Sequence, residues 1–134
     1  MAVKKLIFII LLIIGIAFTF SCKKNTEQDI IGTWNRMILD SSISHIKEEV
    51  WEFTGSSIKI TRTLTPPGSE PFVSDSGSYI VKAGITKKYI RTTGFQFAWY
   101  NNLDWSIERL KAGQLVIFSD RDHYFLYYEF VKKY

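Results

Sequence analysis

Few side chains in this sequence are of types that do chemistry, and their spacing narrows what that chemistry can be. There is one cysteine, Cys22, and there are two histidines, His45 and His123, one at the start of an extended segment and one in a turn. Neither histidine belongs to a His-Glu-X-X-His spacing, and a lone cysteine cannot build a Cys-based zinc site. No Gly-X-Ser-X-Gly elbow is present. Asp120, Asp122 and His123 are close in sequence, but such residues in a turn ordinarily serve the turn itself. The residues therefore nominate no catalytic group, no metal and no cofactor, and an enzyme is not expected. What remains is recognition chemistry. An arginine fork pairs two-pronged with a carboxylate or phosphate, and a tyrosine hydroxyl adds a donor. Arg36, Arg62, Arg91 and Arg109, with Tyr79, Tyr89, Tyr124 and Tyr128, all lie in strand-like segments where such groups can converge.

Cys22 carries a different chemistry. Lys4 and Lys5 precede an uncharged, almost wholly apolar run from Leu6 to Phe20, and Thr19-Phe20-Ser21-Cys22 closes it. That is the layout of a secretory signal, too short to cross a bilayer and stopped by Lys23-Lys24. An exported protein with one cysteine has no internal partner for it. Thr-Phe-Ser-Cys resembles a lipobox, the site at which bacterial lipoproteins are acylated and cut just before the cysteine, in the relaxed form of Bacteroidota. An uncleaved signal anchor and a secreted protein with a spare thiol are the alternatives. The expected organisation is a signal peptide over 1–21, a lipidated cysteine and flexible tether over 22–29, and a domain over 30–134. Acyl chains, palmitate among them, would fix the protein to a membrane of the cell envelope, the outer membrane being expected.

Removal of residues 1–21 leaves 113 residues, enough for one domain with a core. The formal charge of +4 includes Lys4 and Lys5, so the remaining chain is near +2. Its basic residues are scattered, apart from the pairs Lys23-Lys24, Lys87-Lys88 and Lys132-Lys133, and form no footprint for nucleic acid. Aromatic residues make up 16% of the chain and Ile, Val and Thr are abundant, which favours strands.

Period-2 alternation between turn signals predicts eight strands: 32–39, 45–53, 57–64, 77–82, 87–93, 103–110, 114–119 and 124–132. Thr65 to Asp75, with Pro66, Pro67, Gly68 and Pro71, reads as a loop. So does Gly94 to Asn102, where Phe95, Phe97, Trp99 and Tyr100 crowd one connection. These aromatics are expected to line a cavity mouth as a lid, to pack over the end of the fold, or to form a partner patch. Short strands joined by hairpin-length links predict an all-β, eight-stranded antiparallel up-and-down barrel, because closure removes the exposed edges.

Ile30-Ile31-Gly32-Thr33-Trp34, at the head of the first strand, is similar to the Gly-X-Trp opening of lipocalins and of lipocalin-like lipoproteins of Bacteroidota. Trp51-Glu52-Phe53, Gly77-Ser78-Tyr79, Trp105-Ser106-Ile107 and Tyr128-Glu129-Phe130 follow the same outline. The resemblance implies a lipocalin-like barrel with Gly32 and Trp34 at its closed base. With Trp34 inward, phase turns Arg36, Trp51, Phe53, Ile58, Ile60, Tyr79, Tyr89, Trp105, Ile107, Leu115, Ile117, Tyr124, Tyr128 and Phe130 inward too.

Two functions follow as expectations. A barrel with a cavity would bind a small hydrophobic or amphipathic anionic ligand, its head group held by Arg36, Arg62, Arg91 and Arg109 with Tyr79, Tyr89, Tyr124 and Tyr128. Pairing of the arginines with Glu49, which shares phase with Trp51 and Phe53, is the alternative use of those charges. A filled barrel would instead make the chain a protein-binding envelope lipoprotein: an inhibitor, adaptor or surface subunit.

Overall fold

A computed structural model describes residues 5–10, 23–38, 45–65, 70–84, 86–121 and 124–134. The eight strands are β1 (Gly32–Arg36), β2 (Ile46–Phe53), β3 (Ser57–Leu64), β4 (Phe72–Ala83), β5 (Lys88–Thr93), β6 (Leu103–Lys111), β7 (Gln114–Arg121) and β8 (Tyr124–Lys133). Each pairs antiparallel with the next, and β8 returns to β1 through Thr33↔Lys133 to Arg36↔Phe130, so the barrel closes. No strand edge is left for another chain to extend.

Alternation builds the wall. In β2, Glu49, Trp51 and Phe53 are buried while their neighbours are more exposed. In β3, Ile58 and Ile60 do the same. The β6–β7 hairpin turns on Ala112 and Gly113, both at positive φ, the requirement of a two-residue turn matched to strand twist. At the β2–β3 turn, Thr54 N–H donates to the Ser57 carbonyl at 2.9 Å, and the two side-chain hydroxyls lie 2.7 Å apart.

The up-and-down order sorts the connections. The β2–β3, β4–β5 and β6–β7 turns and the end of β8 lie at the end where the chain enters β1; this end is the base. The other connections lie at the far end. Trp34 stands at the base, 1% exposed, as the Gly-X-Trp resemblance implies, and its Nε1 donates to the Ile30 carbonyl at 2.8 Å. Gly32 has φ +136, and Lys132 crosses where its Cβ would be.

Two expectations need correction. Residues 23–30 are not an extended flexible tether: they are helical, and Thr26 and Ile30 are fully packed at 1% and 0% exposure. A helix rises about 1.5 Å per residue, so this segment spans roughly 12 Å and closes the base instead of spacing the barrel away from its N-terminus. Strand β4 also begins at Phe72, well before Gly77. Pro71 immediately precedes it, and a bulge at Ile60/Thr61 lets Phe72 and Val73 join the ladder to Arg62 and Thr61. Residues 5–10 are helical and exposed; no helix among the described residues is long and apolar enough to cross a membrane. Cys22 lies outside the described residues, as does Leu39, the expected end of β1.

Candidate functional site

The inward residues meet in an aromatic core. Trp51 packs against Phe53, Tyr100, Trp105, Tyr128 and Phe130, with ring centroids 5.2 to 6.2 Å apart. Trp105 and Tyr128 are themselves 5.2 Å apart, and Phe53 meets Tyr79 edge-on at 5.3 Å. These rings belong to the buried core of the barrel. Each edge-on or offset pair adds about 0.5–1.5 kcal/mol beyond the area it buries.

Among these rings sits one carboxylate. Glu49 has no solvent exposure. Its Oε1 accepts from Arg36 Nη1 at 3.1 Å and from Trp51 Nε1 at 2.9 Å, and its Oε2 accepts from Arg62 Nε at 2.7 Å. A buried carboxylate is costly unless paired and hydrogen-bonded, and here both oxygens are served. Arg36 also lies over Tyr128, its Cζ 3.7 Å from the ring centre, and Arg62 Nη2 donates to the Tyr100 hydroxyl at 3.3 Å. Burial opposes the charge on Arg62, but Glu49 and Tyr100 together outweigh it and raise the guanidinium pKa. Tyr100 is pushed up by burial first, then by Tyr128 and Glu49, so its hydroxyl stays protonated. The cluster carries two guanidiniums to one carboxylate. Both arginine side chains keep some exposure, 24% and 17%, toward the far end.

The loop from Gly94 to Asn102 closes over this cluster. Phe95 and Tyr100 are buried at 4% and 3%, while Phe97 remains partly exposed. Of the three readings for these aromatics, packing over the barrel end describes Phe95 and Tyr100; the side chain of Trp99 lies outside the described residues. Asp75 latches the loop. Its Oδ1 accepts from the N–H groups of Ser76 at 2.8 Å and Gln96 at 3.0 Å, and its Oδ2 from Phe97 N–H at 3.0 Å. Asn101 ties the loop to itself through Phe95 N–H at 2.6 Å, and Thr92 Oγ1 donates to the Tyr100 carbonyl at 2.5 Å.

Of the proposed ligand-binding set, the fold brings together Arg36, Arg62 and Tyr128. Tyr79 is inward but lies toward the base, its hydroxyl donating to the Thr54 carbonyl at 2.6 Å. Burial, and then Glu27, raises its pKa. Tyr89 and Arg91 are corrections: Ile90 and Thr92 are the buried residues of β5, so the other phase faces out. Arg91 forks onto exposed Asp104 with two 2.6 Å bonds, and that contact holds the Asp104 carboxyl below its usual range. Tyr89 lies beneath Lys82, 5.8 Å from its ammonium. Arg109 is also a correction. A bulge between Ile107 and Arg109 inverts the rest of β6, and Arg109 bonds Gln114 Oε1 on the surface at 3.1 Å. Tyr124 pairs with Arg121 in the β7–β8 register, its side chain lying outside the described residues.

The outer face of β7 and β8 carries an aromatic row that the sequence reading missed. Phe118 stacks on Phe125 at 5.7 Å and Phe125 on Tyr127 at 6.4 Å, with Phe125 65% exposed. With Met37, Val131 and Glu129 these rings border a groove of about 560 Å³. Apolar and aromatic residues in both phases of β8, from Tyr124 to Tyr128, were the available signal. Among the described residues, no group of three or more His, Cys, Asp or Glu side chains converges as metal ligands would.

A scan of protein-family models, a search of curated proteins and a search of solved structures each found no match to this chain.

Proposed function

We propose that this chain is a lipid-anchored, lipocalin-like lipoprotein of the bacterial cell envelope that binds another protein through its outer surface, with no catalytic role. The observation that carries the reading is the packing of the interior. Trp51, Trp105, Tyr100 and Tyr128 interlock where a carried ligand would sit. The inward arginines, which would have held an anionic head group, converge on Glu49. The outer-face row of half-buried Phe118 with exposed Phe125 and Tyr127 is the kind of aromatic surface that anchors a protein partner.

The anchor rests on Cys22 and its lipobox-like context. Substitution of Cys22 by Ala should move the protein out of the membrane fraction and remove the acyl mass; unchanged fractionation and mass would contradict it. For the partner, a photo-crosslinking residue at Phe125 or Tyr127 in cells should give one discrete adduct. The same probe at Ile80, exposed on the outer face of β4, should give none. Equal adducts at all three positions, or none at any, would remove the outer-face reading.

One observation favours a second reading. The Arg36–Glu49–Arg62 cluster has one cation in excess and partial exposure toward the far end. An amphipathic anion would bind there, by its head group, with its tail outside the filled interior. Loss of binding to such an anion on substitution of Arg62 by Met would distinguish this from the first reading.

A further inference from the structure

The lysines that look scattered in the sequence are gathered by the topology. The chain segments at the base are the helix over 23–30, the three even-to-odd turns and the end of β8. They carry Lys23, Lys24, Lys82, Lys87, Lys88, Lys111, Lys132 and Lys133. Against them stand Glu27 and Asp29 in the helix, with Glu108 nearby on β6. At the far end the described connections and strand ends hold acidic Glu70 and Asp120 and basic Lys47 and Arg121. The barrel is therefore polarised along its axis, basic at the end where the N-terminal segment joins it.

Few of these ammonium groups are used internally. Lys23 pairs with Glu27 at 3.6 Å and Lys133 with Glu48 at 3.3 Å. Lys132 and Lys82 rest over Trp34 and Tyr89. Lys24, Lys87, Lys88 and Lys111 are exposed and form no ion pair among the described residues. Like charges gathered on one end repel one another, and an anionic surface relieves that repulsion.

We propose that the base is a docking surface for anionic lipid headgroups, which seats the barrel base-down on the bilayer. Charge complementarity names the occupant, and chain connectivity places it: Cys22 is one residue from Lys23, at the start of a helix packed into this same end. The proposal rests on the reading of Cys22 as the anchor for proximity, but not for charge. A polybasic patch next to an acyl anchor strengthens attachment, since each lysine near an anionic surface adds attraction that salt screens. The docked orientation turns the Phe97 loop and the Arg36–Glu49–Arg62 cluster away from the membrane and leaves the β7–β8 aromatic row on the side.

The test uses the acylated mature protein mixed with vesicles of phosphatidylcholine alone or of equimolar phosphatidylcholine and phosphatidylglycerol. Flotation is followed by acetylation of lysines and peptide mass spectrometry. The expected result is flotation with both, with Lys87, Lys88 and Lys111 about five-fold less reactive on the anionic vesicles. Lys47, at the far end, should be unchanged, and high salt should abolish the protection. Equal reactivity on the two kinds of vesicle overturns the docking while leaving the anchor standing. Flotation with anionic vesicles only, lost in a K87E/K88E/K111E variant, supports the docking and removes the anchor. No flotation with either overturns both.

Discussion

Arg62 Nε donates a 2.7 Å hydrogen bond to Oε2 of Glu49, a carboxylate with no solvent exposure, while Arg36 reaches the other oxygen from the opposite strand. The two arginines and the glutamate come from β3, β1 and β2, so the pairing crosses three neighbouring strands. A cation with a built-in partner of this quality is held in place by that partner, and the charges thereby become part of the wall.

Substitution of Glu49 by Ala should therefore be severe. It leaves two guanidiniums facing each other beside Trp51 and should cost about 3–5 kcal/mol. The triple variant R36M/E49L/R62M should recover most of that loss, because a packed apolar set avoids desolvating three charges. Urea unfolding followed by tryptophan fluorescence measures both. Equal destabilisation in the single and triple variants would show that the residues act by shape and not by pairing.

The far-end loop makes its own prediction at Gly77. A Cβ there would sit 2.3 Å from Phe95 Cδ2 and 2.7 Å from the Thr93 carbonyl oxygen. Gly77→Ala should cost about 1–3 kcal/mol by displacing the Phe95 ring. The combined variant with Phe95→Ala should show less than the sum of the two single losses, because it removes the Phe95 part of the clash and leaves only the Thr93 carbonyl. Thermal unfolding of the three variants checks this.

Asp75 should control how often that loop opens. Its carboxylate accepts three backbone N–H groups, two of them from Gln96 and Phe97. Asp75→Ala leaves those donors without their acceptor and should cost about 1–3 kcal/mol. Amide exchange at Gln96 and Phe97 should accelerate while exchange in β7 and β8 changes little. Uniform acceleration through the barrel would mean that Asp75 supports the whole fold and not the loop.

Ala112 offers a change in the stabilising direction. It holds φ +53 in the β6–β7 turn, a region that non-glycine residues seldom occupy. Asn tolerates that conformation far better and completes an Asn-Gly turn. Ala112→Asn should raise stability by about 0.5–1 kcal/mol, read as a higher unfolding midpoint with an unchanged denaturant slope.

The closed barrel and its strand count were legible because runs such as Glu49 to Phe53 in β2 and Ser57 to Ile60 in β3 alternate between turn signals. The base residues Gly32 and Trp34 were legible from their resemblance and from their place at the head of β1. The phase of individual side chains was readable only up to the first bulge. Arg109 was placed inside because the extra residue after Ile107 carries no sequence mark, and one extra residue turns everything beyond it to the other face. In β5 the segment Lys88-Tyr89-Ile90-Arg91-Thr92 has apolar bulk in both phases; Thr92 is buried because its hydroxyl bonds the Tyr100 carbonyl, a contact set by a distant loop. Glu49 was recognisable as a partner for the arginines by shared phase. That its two arginines come from its two neighbouring strands needed the barrel. The helix over 23–30 was unreadable because its polar composition resembles a linker, and only Thr26 and Ile30 pack.

The central claim is that the interior is occupied by the protein's own rings, and the uptake of a lipid by the purified chain tests it most directly. Native mass spectrometry after incubation with excess palmitate should show the wild-type protein without a bound fatty acid. The Trp51→Ala variant, which removes the ring touching five others, should acquire a single bound molecule. Stoichiometric palmitate on the wild-type protein that persists when Arg62 is replaced by Met, and so does not depend on the charged cluster, would contradict the account and make the barrel a carrier.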